Sequence, residues 1–348
     1  MKRIKTGKLK SYIAPIVAIA VSECLKHIPV LTDLYTDHIY PIILNTFHTI
    51  SSILPFSIYD ILVVISILML LSGIVFVFIK RYRKLYFKTI LLSVLWIYAW
   101  FYLAWGVNYF GKDFYERTSI PKANYDSLAY DKFINKFCDS LNSTFIDRDT
   151  NLVQCDMRID IETQYNTICS IYNLPKLPSI YKPKSMLYSR VYAAVGVTGY
   201  YGPLLSEIHL NSYLLADEKP FLMAHETAHL LGVTSEAEAN LYGYLVTTSS
   251  SNKAIRFSGY FEMIPFVLNN YRKTVNDSTY AKVYQSINPE IFKLYNENRK
   301  HWSSLKRERA KKVQSVAHNT YLKVNNIPQG VANYSEVVAL ILSVESIK

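Results

Sequence analysis

Pro220-Phe221-Leu222-Met223-Ala224-His225-Glu226-Thr227-Ala228-His229-Leu230-Leu231-Gly232 is the stretch on which the reading of this chain turns. Pro220 suits the first turn of a helix, Asp217 and Glu218 favour the positive end of its dipole, and Gly232 suits a left-handed stop. Between those limits an α-helix brings residues i and i+4 to one face. His225 and His229 can therefore direct ring nitrogens at one metal ion, with Glu226 beside them to polarise a water molecule. Leu222, Ala224, Ala228, Leu230 and Leu231 are apolar or small, which predicts a buried helix. Buried His and Glu side chains need a partner, and a metal ion supplies one.

A catalytic zinc site takes three protein ligands and leaves one position open. The next segment, Ser235-Glu236-Ala237-Glu238-Ala239-Asn240, offers two carboxylates. Ser235 and Glu238 fit a capping box, which gives Glu238 a structural task and leaves Glu236 as the third ligand. Asn240, one turn after Glu236, is positioned to hydrogen-bond a ligand as outer support. A three-histidine HExxHxxGxxH site is excluded, because Ser235 stands where the third histidine belongs. The expected cofactor is Zn²⁺ held by His225, His229 and Glu236, with Glu226 as general base in peptide hydrolysis.

Upstream, Glu207, His209 and Asn211 alternate with Ile208 and Leu210, the pattern of a strand with aliphatics on one face and polar groups on the other. Such a strand beside the histidine helix would be an edge that pairs with substrate backbone, with His209 assisting an oxyanion; an ordinary surface strand explains the alternation equally well. Val191–Val197 reads as a second strand, separated from the first by the turn-rich segment 198–203. Residues 128–146 and 156–173 read as helices, and the chain after 211 as nearly all helix. Near the C-terminus, Tyr334 is a candidate phenolic donor to the oxyanion.

Farther out lies the membrane signal. Ile58–Ile79 is an apolar run without Lys, Arg or His, long enough to cross a hydrocarbon layer of about 30 Å. Thr89–Val107 is a second such run, with Trp96, Trp100 and Trp105 as interface anchors. The stretch from Ser11 is shorter, interrupted by Lys26 and His27, and reads as an uncleaved first span. The net charge of +11 is concentrated in residues 1–10 and 80–88, which together hold ten basic residues and no acid, so the remainder is close to neutral. That distribution argues against nucleic acid as a partner. It places both basic segments in the cytoplasm and everything after about Tyr109 on the outer side. The four cysteines show no CxxC spacing, and Cys155 with Cys169 is the pair to test for a disulfide.

Pro55-Phe56-Ser57, the segment from Gly199 to Asn211, Pro220-Phe221, the His225–His229 motif, Glu236–Asn240 and Gly330-Val331-Ala332-Asn333-Tyr334 together resemble a bacterial membrane-protein family classed as domain of unknown function 3810. The helix pair also looks like that of the gluzincin peptidases, among them the HtpX-type membrane proteases and the ImmA-type soluble ones. That resemblance implies the first Glu of the second motif, Glu236, as third zinc ligand. HtpX-type enzymes carry Asp where Asn240 stands and act on the cytoplasmic side, so the likeness is to the site and not to a substrate. The expected architecture is a membrane region over 1–110, with three transmembrane helices at about 11–31, 58–79 and 89–107. A mainly helical α+β zincin-like domain with a small sheet follows over 111–348. The expected activity is membrane-anchored, zinc-dependent peptide hydrolysis on the outer side of a bacterial cytoplasmic membrane, with a peptide or protein substrate and the lipid bilayer as partners. The competing readings are a catalytically silent metal-containing sensor or binding protein, and a zinc amidase acting on cell-wall peptide.

Overall fold

The computed structural model describes residues 6–123, 127–146, 157–325 and 336–347. Helix α1 (Thr6–His27) ends where Ile28 turns extended, and Pro29, which cannot donate to the preceding turn, opens α2 (Pro29–Leu34). A π-helical turn (Tyr35–Ile39) leads directly into α3 (Tyr40–Ser52). The segment Pro29–Ser52 is bent by 105° from Ser11–His27, so the first span expected over 11–31 is broken at the proline. The connection from there to α4 is largely helical.

Helix α4 (Ile58–Phe76) starts at the N-cap Ser57, whose Oγ accepts from the Asp60 N–H at 2.9 Å. Helix α5 (Lys80–Ala104) follows after a three-residue turn. The basic segment 80–88, expected as a loop, forms the opening turns of α5: Lys and Arg are good helix formers, and no Gly or Pro interrupts them. Two helices, α4 and α5, are long and apolar enough to cross a membrane, and a third span results only if the bent pair counts as one. They form an antiparallel hairpin in which the Tyr86 hydroxyl donates to the Met69 carbonyl at 2.9 Å.

The chain continues through a 3-10 turn (Gly106–Phe110), α6 (Phe114–Thr118), α7 (Ser127–Thr144) and α8 (Met157–Ile171), the last two close to the expected helices. Then come β1 (Lys184–Ser185), α9 (Ser189–Val195), β2 (Gly199–Gly202) and β3 (Glu207–Leu210). These strands form one sheet in the order β1-β3-β2, with β1 parallel and β2 antiparallel to β3, and Tyr200 opposite His209. The remaining described elements are α10 (Lys219–Leu230), α11 (Glu236–Thr248), α12 (Lys253–Arg272), α13 (Asp277–Ser286), α14 (Pro289–Leu305), α15 (Glu308–Val324) and α16 (Glu336–Glu345).

Two strand expectations are corrected. Val191–Val197 lies mostly within α9, because Gly196 at φ 86° closes a helical turn there and the Ala194 carbonyl is taken by the Arg307 N–H. The supposed turn 198–203 instead supplies β2. Strand β3 is the centre of the sheet and not an edge, and all four of its residues are buried. Its polar face, expected at the surface, packs on the start of α4. The Glu207 carboxylate accepts from the Ile58 and Tyr59 N–H groups at 3.3 and 2.8 Å and pairs with Lys184. Ser57 Oγ and His209 Nε2 share a hydrogen bond of 2.8 Å.

Helix α11 is buried from Ala237 to Thr247 because α8, α10, α12 and α16 all pack on it. A helix enclosed on every side needs small and apolar residues throughout, and Ala237, Ala239, Leu241, Gly243 and Val246 supply them. The core does not stop at residue 110. Tyr35, Tyr40, Leu44, Tyr102 and Trp105 belong to the same buried cluster as Phe221, Ala228 and Leu241. Cys169 is buried in that core, while Cys155, its suggested partner, lies outside the described residues.

Candidate metal centre

The histidine-bearing helix has the limits its sequence demands. Pro220 sits in its first turn, and at its end the Val233 N–H donates to the Ala228 carbonyl and the Gly232 N–H to the His229 carbonyl, both at 3.1 Å. This is a Schellman stop, and Gly232 takes the left-handed conformation it requires, at φ 91°. The Tyr40 phenol and the Trp105 indole donate to the carbonyls of Leu230 and His229 at 2.6 and 2.9 Å. Residues from the first 110 positions of the chain therefore hold the end of α10 that carries His229.

His225, His229 and Glu236 each offer one ligand atom, and these atoms lie within 4.8 Å of one another. The two Nε2 atoms are 3.2 Å apart; Glu236 Oε2 lies 3.3 Å from His225 Nε2 and Oε1 lies 3.8 Å from His229 Nε2. Four ligands placed tetrahedrally at about 2.0–2.1 Å from an ion stand about 3.3 Å from each other. Both Nδ1 atoms are already committed: that of His225 faces Asn240 Oδ1 at 2.9 Å, and that of His229 faces the Val233 carbonyl at 2.7 Å. With each Nδ1–H donating, each Nε2 presents its lone pair to the same point. Two lone pairs and a carboxylate converging there repel one another unless a cation lies between them. The donor set fits a metal ion on both spacing and charge.

Electrostatics agree. Burial pulls the His229 imidazole down, yet its hydrogen bond to Glu236, the nearby carboxylates and the Val233 carbonyl outweigh this and lift it to about 9. Burial raises the Glu236 carboxyl, but both histidines outweigh it and hold the group well below the usual range. The Glu226 carboxyl is pushed up by burial, against the pull of His225 and His229. Its Oε2 is buried and has no hydrogen-bond partner among the described residues.

Glu238 is kept away from the cluster by a device the sequence did not reveal. Ser235 Oγ accepts from the Glu238 N–H at 3.4 Å, but the Glu238 side chain does not complete the expected capping box. It pairs with Arg117, which also donates to the Tyr242 hydroxyl at 3.0 Å. Asn240 stands where expected, as acceptor for His225. Replacing it with Ala frees that imidazole to rotate, and metal affinity should fall by about 10–100-fold, read by competition with a chromophoric chelator.

His209 is not brought to this centre. Gly199, paired with Leu210, faces Glu226 so closely that a Cβ there would lie 2.8 Å from Glu226 Oε1. Leu210 thus shares the face turned to α10, and strand alternation turns His209 to the opposite face. There its ring stacks on Tyr200 at 4.3 Å between centroids. The expectation of His209 as an oxyanion helper is corrected accordingly. Tyr334 lies outside the described residues. Three contributors were missed: Gly199, whose lack of a side chain admits Glu226; the Val233 carbonyl; and Trp105. Gly199 stood in a segment read as a turn, and Trp105 was read as an interface anchor, whereas it lies buried just past the end of α5 with its indole on the His229 carbonyl.

A cavity of about 220 Å³ opens on the centre, lined by His225, Glu236 and Asn240 together with Phe221, Glu218 and Glu262. Burial and the neighbouring Glu218 and Asp217 push the Glu262 carboxyl well above its ordinary range.

No curated protein and no solved structure matches the chain. A match to the family described as protein of unknown function (DUF3810) runs over residues 35–342, taking in α4, α5, the sheet and both helices of the metal cluster, and the chain is a member of that family.

Proposed function

We propose that this chain is a membrane-anchored, zinc-dependent peptidase of gluzincin-like design, working on peptide or protein substrates at the outer side of a bacterial cytoplasmic membrane. The observation that carries the reading is the pairing of a three-ligand cluster with Glu226, a buried carboxylate beside it whose Oε2 has no partner among the described residues. A site that only stabilised the fold has no use for such a group. Zinc bound there supplies Lewis acidity toward a scissile carbonyl and lowers the pKa of water. Glu226 takes the proton of the attacking water at Oε2 and passes it to the leaving amine. Asn240 and the Val233 carbonyl keep the two imidazoles in the tautomer that binds metal. The cavity beside His225 and Glu236 receives the substrate chain. Sidedness rests on Lys80, Arg81, Arg83 and Lys84, which begin α5 at the end of the hairpin far from the sheet, where cytoplasmic charge belongs.

Metal content and hydrolysis of a broad peptide library by the detergent-purified protein test the reading together. One zinc per chain with chelator-sensitive cleavage is expected. A chain that takes up no metal defeats the proposal; zinc without turnover on any peptide transfers the site to a metal-stabilised binding or sensor domain.

A further inference from the structure

We infer that the segment from α2 through α3, residues 29–52, lies flat in the headgroup layer of the bilayer, forming a platform between the lipid and the metal-bearing domain. Helix α1 runs alongside α5: the Tyr98 hydroxyl donates to Glu23 at 2.8 Å, and Lys26 sits 4.1 Å from the centre of the Tyr102 ring. With α1 packed beside a helix suited to crossing the membrane, the 105° bend sends residues 29–52 across the direction of the spans.

The two sides of this segment differ sharply. One is fixed to the end of α5 and to the domain: Tyr35 donates to the Leu103 carbonyl at 2.8 Å, Tyr40 to the Leu230 carbonyl, and His48 Nδ1 to the Ser206 carbonyl, while Leu44 is fully buried. The other exposes Val30, Leu34, Ile42, Ile50 and Ile53, three of them at 68–76% of their full area. Polar residues, His38 and Thr46 among them, are interspersed on that side, and Asp33 and Asp37 each lie 3.4 Å from Lys112. This composition suits an interfacial helix better than a hydrocarbon-spanning one.

Continuity identifies the occupant as lipid. The exposed Ile53, Leu54 and Phe56 lead directly into Ser57 and α4, so the apolar side ends at the level where the membrane helix begins. A crossing by residues 29–52 is incompatible with their inner side, where the Ser51 carbonyl accepts from the buried Lys184 ammonium at 2.7 Å and Ser52 and Thr32 are also buried. Each backbone group of a helix is satisfied internally, so lying at the interface exposes none of them to hydrocarbon.

Nitroxide accessibility tests this in the full chain reconstituted into phosphatidylethanolamine and phosphatidylglycerol liposomes, in a background where Cys24 and Cys155 are Ser. Labels go on Ile42→Cys and Ile53→Cys, with Leu68→Cys in α4 as the lipid control and Lys293→Cys as the aqueous control. The expected result is that labels at 42 and 53 collide with oxygen more than with a water-soluble nickel complex, at one shared depth shallower than that at 68; depths as great as at 68, or differing between 42 and 53 as along a crossing helix, overturn the proposal. Collision with the nickel complex as at 293 overturns the proposal, and so does low collision with both, which would mean a protein partner or a second copy covers the face. All four sites are exposed in the fold, and the thermal unfolding midpoint of each labelled preparation, set against that of the unlabelled chain, verifies its fold. None of these outcomes depends on metal or activity.

Discussion

Glu226→Gln should lower peptide hydrolysis by about 10²–10⁴-fold while the protein keeps its metal. The amide conserves the volume against which Gly199 packs and leaves His225, His229 and Glu236 untouched, so the effect isolates proton transfer from site assembly. Metal stoichiometry and initial rates on one peptide, measured on the same preparation, check it. Undiminished turnover would remove Glu226 from the mechanism. Loss of metal along with activity would mean that the carboxylate supports the cluster, and general-base catalysis would lose its support.

Lys184→Met should destabilise the folded chain by about 3–5 kcal/mol, the cost of leaving a buried charge without its partner. Glu207 is fully buried and depends on Lys184 together with the first turn of α4. Thermal unfolding in detergent measures the loss, and adding Glu207→Gln to the same chain should recover part of it. The pH dependence follows from the same carboxylate. Burial raises the Glu207 carboxyl, but hydrogen bonds from His209, Lys184 and Tyr59 outweigh that and bring it down to about 2. A depressed acid stabilises the fold above its unfolded value, about 4.3, and that contribution is lost as pH falls toward 2. Wild-type stability should drop across that window, and Glu207→Gln should flatten the drop.

Local rules made the centre of the site readable. The i, i+4 spacing of His225 and His229, Pro220 at one end of the helix and Gly232 at the other depend on backbone geometry within a dozen residues, and each appears in the fold where the sequence put it. Hydropathy likewise located α4 and α5, although it missed that the basic residues begin α5, because charge does not break a helix. What failed was non-local. Alternation along Glu207–Asn211 gave the two faces of β3, but whether the polar face meets water or a membrane helix is decided by residues 57–60, about 150 positions away. In the same way Glu238 and Glu236 are distinguished by Arg117, and the end of α10 is held by Tyr40 and Trp105. Val191–Val197 misled because β-branched residues favour strands only weakly, and the cap at Gly196 prevailed.

The bond between the sheet and the start of α4 also bears on how the protein is made. During synthesis α4 emerges about 150 residues before Glu207, so its first N–H groups still await their acceptor when the helix is complete. The polar face of the sheet is completed by docking onto a helix made long before it. A fragment beginning after α5 would keep the Lys184–Glu207 pair but lose the Ile58 and Tyr59 N–H groups, the Ser57 hydroxyl and the Ser51 carbonyl that complete the partners of Glu207, His209 and Lys184, together with the helices that cover them. The half of this chain that carries the metal cluster is thus not an autonomous module on a tether: helix α4 completes its sheet.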